Sequence, residues 1–167
     1  MARPCLHCDA KLEPMRLMRG GTDGSHLRVA VIVSRWNEFV TTPMLEGALD
    51  TLASQSVKDP VVYAVPGTWE IPVVAAELIR RKEVDALVAL GCILQGQTTH
   101  AQLLAGDVSH ALMDLQVQTG VPIAWGILTP DTADQAIDRA GMKMGNKGRE
   151  AASAAIEMAN VLAERNN

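Results

Sequence analysis

The residue best placed for chemistry in this chain is His100, which follows the segment Gly96-Gln97-Thr98-Thr99. Thr99 and Gln102 form a T-x-x-Q capping box, which predicts a helix opening with His100 in its first turn. A helix N-terminus carries free backbone N–H groups and partial positive charge, so it can hold a phosphate without a lysine. Gly96 permits close approach of the backbone to such a ligand. The same dipole disfavours imidazolium, so a neutral His100 able to accept and return a proton is expected. An isolated histidine in an ordinary first turn is merely solvated. Here a strand end, a glycine loop and a cap converge, which weakens that reading. His7, His26 and His110 have no comparable surroundings.

Arg139 stands in the last turn before Gly141. It either complements a helix C-terminus or clamps a phosphate with its planar fork, and the pattern does not choose between them. Glu70 either favours the positive end of the helix it precedes or contacts a ligand, and Lys147 in GNKG is solvated unless a second subunit meets it. The chain has three Trp but only one Phe and one Tyr, so its core must be built from aliphatic residues and Met. Trp36, Trp69 and Trp125 all fall beside a strand end or turn. There they serve equally well as platforms for a flat heterocycle or as amphipathic plugs at loop edges. Cys5 and Cys8 make half of a zinc-site spacing that no later pair completes, and no metal site is expected. Cys92 sits in the apolar run ALVALGCIL as a small buried side chain.

The elements that position these residues alternate regularly. LRVAVIVS (27–34) is a near-continuous apolar run, as in a strand covered on both faces. Thr42 as N-cap and Pro43 at the first position predict a helix over 43–54. VVYAV (61–65) reads as a strand, 71–81 as a helix and 84–94 as a long buried strand. A helix from 99 to about 118, a fourth strand over 122–128 and helices near 131–140 and 147–164 complete the pattern. The last helix should bury Ala151, Ala155, Met158, Ala159 and Leu162 on one face. This alternation predicts an α/β domain with a four-stranded, mainly parallel sheet, and such sheets bind ligands outside the carboxyl ends of their strands.

Length and composition set the outer limits. The 167 residues fit one domain (27–167) behind a flexible extension over residues 1–26 that ends in GGTDG. With 48% hydrophobic and 20% charged residues, the chain is globular. A net charge of -4 argues against nucleic acid or an anionic membrane as partner. No apolar run spans a bilayer and no signal-type segment opens the chain, so a cytoplasmic location is expected.

Five stretches, in order, resemble the lumazine synthase family over about residues 28–164: SRWNEFVTTPMLEGALDTL, VPGTWEIPVVAAEL, ALGCILQGQTTH, PIAWGILTPDTADQAIDRAG and GNKGREAASAAIEMANVL. The resemblance implies a flavodoxin-like α/β/α sandwich in homopentamers with active sites between subunits. It permits a 60-subunit icosahedral shell and association with riboflavin synthase. It implies that Trp36 stacks on the pyrimidine of one substrate and that Thr68, Trp69 and Glu70 hold its ribityl chain. Cys92, Ile93 and Leu94 then read the pyrimidinedione through their backbone, while Trp125 and Lys147 come from the neighbouring subunit. Gln97 and Thr98 correspond to the loop that binds a ketone phosphate, Arg139 to its clamp and His100 to the catalytic histidine. The implied reaction joins these two small molecules with no metal or redox cofactor.

Two departures from the family pattern stand next to His100. Ala101 and Gln102 replace an aromatic and an acid, and Gln95 stands where a basic residue is common. They leave open a weakly active or inactive paralogue that binds lumazine or flavin or builds a shell. A receiver-type signalling module would need an acidic pair after the first strand, where Ser34, Arg35 and Trp36 stand instead.

Overall fold

Strands form where the apolar residues run without interruption, and helices where they recur every third or fourth position. The computed structural model describes residues 17–96 and 100–164. The elements are β1 (Val29–Ser34), α1 (Glu38–Ser54), β2 (Val61–Val65), a 3-10 turn (Thr68–Glu70), α2 (Ile71–Arg80), β3 (Ala86–Cys92), α3 (His100–Thr119), β4 (Ile123–Leu128), α4 (Ala133–Arg139) and α5 (Lys147–Glu164). The four strands are parallel throughout, in the order β2-β1-β3-β4. β1 and β3, the two central strands, are buried along their whole length.

Alternate residues of the strands enter opposite cores. Val29, Val31 and Val33 pack with Val88 and Leu90 against α1, α4 and α5. Ala30 and Ile32 pack with Leu87 and Ala89 against α2 and α3. The result is a flavodoxin-like three-layer α/β/α sandwich. Among the described residues no helix is long and apolar enough to cross a membrane.

Three expectations shift. α1 begins at Glu38 rather than Pro43, because Asn37 turns the chain in a left-handed conformation (φ 63, ψ 44). The Asn37 carbonyl then accepts from the N–H groups of Val40 (2.8 Å) and Thr41 (3.1 Å). Pro43 lies in the second turn, where it deprives the Phe39 carbonyl of its donor; Phe39 is exposed, so water can replace it. In α5, Ala152 and Ile156 join Ala151, Ala155 and Ala159 in the core, whereas Met158 is exposed. The 84–94 strand is shorter than its apolar run, closing at Cys92.

The GGTDG segment lies against the domain. Asn160 Nδ2 donates to the carbonyls of Gly21 (2.6 Å) and Asp23 (3.0 Å), and Gly24 N–H donates to Gln55 O (2.7 Å).

α1 and α5 cross with almost no space between their backbones. A Cβ on Gly148 would lie 1.8 Å from the Met44 carbonyl oxygen. Asn146 ties the crossing, donating to Pro43 O (2.9 Å) and Ala140 O (3.0 Å) and accepting from the N–H of Gly148 (2.9 Å) and Arg149 (3.2 Å). Gly148→Ala therefore must push the helices apart. It should cost about 1–3 kcal/mol or more, read as a lower denaturation midpoint at fixed protein concentration. An unchanged midpoint would show that the crossing yields freely.

Candidate active site

The carboxyl ends of the strands open a crevice between β1 and β3, where the chain changes its direction of travel across the sheet. After β1 the backbone turns toward β2: Arg35 N–H donates to Val65 O (2.8 Å) and Trp36 N–H to Pro66 O (3.1 Å). After β3 it turns toward β4: Ile93 N–H donates to Leu128 O (2.8 Å) and Gln95 N–H to Pro130 O (3.1 Å). By strand alternation, the Leu94 backbone between them faces back toward the crevice. The Thr41 hydroxyl donates to Ser34 O (2.9 Å), fixing the start of α1 on the end of β1.

Trp36 is 63% exposed although its ring rests on the chain. Its seat is Gly67, where a Cβ would come within 2.7 Å of the ring. Glu70 is held at the same place, its carboxylate accepting from Gly67 N–H (2.9 Å). Thr68 is buried with its methyl group against Gly91, and Trp69 on the same turn is 59% exposed. Burial pushes the Cys92 thiol up to about 11, so it stays protonated at neutral pH and is a poor nucleophile. What Cys92, Ile93 and Leu94 can offer a ligand is backbone.

A second group lies at the β4 edge. Trp125, Arg139 and Lys147 line a cleft of about 670 Å³ together with Gln135, Asp138 and Met144. Lys147 is half-buried and ion-paired with Glu150, while Arg139 has no ion pair or side-chain hydrogen bond among the described residues. Arg139 closes α4, whose N-cap Thr132 accepts from Gln135 N–H (3.3 Å). With Lys147 compensated by Glu150, Arg139 is the cation in this cleft whose planar fork suits an anion.

His100 is the first residue of α3 and is exposed. Gln97, Thr98 and Thr99 lie outside the described residues, and with them the phosphate loop and half of the capping box. α3 packs on the α2 side of the sheet through Ala101, Val108 and Leu112, and it touches the Thr68–Glu70 turn. α4 packs on the opposite side through Ala136 and Ala140. Within one chain the sheet therefore stands between the helices carrying His100 and Arg139, and Arg139 groups with Trp125 and Lys147.

Sequence reasoning missed two residues. Asn37, inside the first family-like stretch, sets the start of α1 and reaches the Cys92 carbonyl of β3. Asn146, inside GNKG, ties the crossing of α1 and α5. The usable signal was their type, since Asn tolerates left-handed backbone and caps helices.

With Trp36 and Trp69 exposed beside the carboxyl ends of a parallel sheet and a cleft bearing Arg139 at the β4 edge, the chain is an α/β protein of the kind that binds ligands outside its strand ends. The family model for 6,7-dimethyl-8-ribityllumazine synthase matches residues 26–163, and the chain belongs to that family.

Proposed function

We propose that this protein condenses 5-amino-6-(D-ribitylamino)uracil with 3,4-dihydroxy-2-butanone 4-phosphate to form 6,7-dimethyl-8-ribityllumazine, the penultimate step of riboflavin synthesis. The observation that carries this reading is the exposed Trp36 ring seated on Gly67 beside Glu70, at the mouth of the β1/β3 crevice. Such a ring offers one face to a pyrimidine, with the Cys92–Leu94 backbone as the opposite wall and Thr68, Trp69 and Glu70 next to the ribityl chain.

The 5-amino nitrogen attacks the ketone carbonyl and the resulting carbinolamine loses water to give an imine. Proton loss from carbon then expels inorganic phosphate. The enol left by that elimination tautomerises to a ketone, on which the ribitylamino nitrogen closes the ring, releasing a second water. No electrons enter or leave overall. His100 carries protons between these steps, and the Gln97–Thr98 loop and Arg139 hold the phosphate.

Because Arg139, Trp125 and Lys147 sit at the β4 edge of one chain, they serve a crevice on a neighbouring copy, in keeping with a ring of subunits. We place the protein in the cytoplasm as a homopentamer, and light scattering separates that from a 60-subunit shell.

The deciding experiment mixes purified protein with both substrates and follows lumazine formation and phosphate release together. Equal amounts of the two support the reading. Pyrimidine binding without lumazine would instead make this a binding paralogue, the outcome to which Ala101 and Gln102 draw attention.

A further inference from the structure

One side chain bridges the gap between β1 and β3. The two strands pair in register up to Val33 and Leu90. Continued by one repeat, the parallel ladder would bring Trp36 N–H to the Cys92 carbonyl. That N–H donates to Pro66 O instead (3.1 Å), because the chain has turned toward β2. The Cys92 carbonyl accepts from Asn37 Nδ2 at 2.8 Å. Asn37 makes this reach from a left-handed backbone (φ 63), which Asn adopts more readily than most residues. It thus replaces a ladder bond at the point where the sheet opens.

The location gives the bond its consequence. Asn37 is covalently next to Trp36, one wall of the crevice, and is bonded to Cys92, which begins the other. We propose that Asn37 is a positioning residue: its amide sets the separation between the Trp36 ring and the Cys92–Leu94 backbone, and so the width of the slot that receives the heterocycle. The inference rests on the pyrimidine reading above and adds a residue to it. The ketone phosphate, held by other groups, is insensitive to this bond.

The test uses Asn37→Gly and Asn37→Asp in the full-length protein. Glycine keeps the left-handed turn at no steric cost and removes the amide. Aspartate keeps the shape but can only accept, so it faces the carbonyl with the wrong chemistry. Kd for 5-amino-6-(D-ribitylamino)uracil is read by tryptophan quenching, with KM for both substrates and a thermal melt alongside. Asn37→Gly should raise the pyrimidine Kd and KM about tenfold, the loss a single hydrogen bond carries, and leave the ketone phosphate KM within about twofold. Asn37→Asp should be at least as impaired, and it supplies the answer if the glycine variant does not fold. A lowered melt with unchanged pyrimidine Kd, or equal rises in both KM values, overturns the positioning role. Wild-type protein that does not bind the pyrimidine overturns the functional reading itself and this inference with it.

Discussion

Replacing His100 with alanine is expected to slow turnover by about 10²–10⁴-fold and to leave a measurable enzyme. The reason lies in how the work divides. The proposed chemistry is a condensation between two small molecules, and holding such reactants face to face in a crevice can supply about 7–11 kcal/mol of the barrier. The proposed positioning groups are Trp36, the 68–70 turn and the β3 end, which lie on other segments of the chain than α3, the helix that His100 heads. Its removal takes away the proton carrier and leaves the slot. The measurement is kcat for both proteins under saturating substrates, with pyrimidine binding and a melt as controls. Turnover falling to the uncatalysed background with binding and fold intact would mean that His100 does more than carry protons. Turnover equal to wild type would remove it from the mechanism.

Arg139→Ala should raise the KM for the ketone phosphate by about 10–10²-fold, the range of one to two charge-assisted hydrogen bonds, and scarcely move that for the pyrimidine. Equal effects on both substrates would sink the clamp assignment. The placement of Arg139 permits a sharper experiment. His100 and Arg139 lie on helices packed against opposite sides of one sheet, and the site proposed above takes Arg139 from another copy. Subunits carrying His100→Ala and subunits carrying Arg139→Ala, unfolded together and refolded as a mixture, should therefore regain activity. In a ring with equal mixing, roughly a quarter of the interfaces pair two intact residues. A mixture no better than the average of its parents would place both residues in one chain's site.

The three tryptophans show how far residue type alone could reach. Their places in a chain otherwise poor in rings left stacking platforms and amphipathic plugs equally open; all three are exposed, and Trp125 lies within β4 rather than at its end. Their partners were not legible. The seat of Trp36 is Gly67, thirty-one positions along the chain, and it exists only because β1 and β2 lie side by side. The reading of Arg139 was incomplete for a related reason. Its place in the last turn of a short helix was visible, but not the side of the sheet on which that helix packs.

By itself, then, the sequence determined the strand–helix alternation, the mainly parallel sheet and the burial of its β1 and β3 strands. These follow from periodicity and turn residues, which act over a few positions. Only the tertiary structure decided that α1 starts at Glu38 behind Asn37, that Asn37 closes the gap to Cys92 and that Arg139 lines one cleft with Trp125 and Lys147. Such contacts join residues far apart in the chain, fifty-five positions for Asn37 and Cys92, and their geometry is set by the strand order β2-β1-β3-β4. Around His100 the same division holds. The helix that starts there was legible from local pattern, whereas the side of the sheet on which it packs was not.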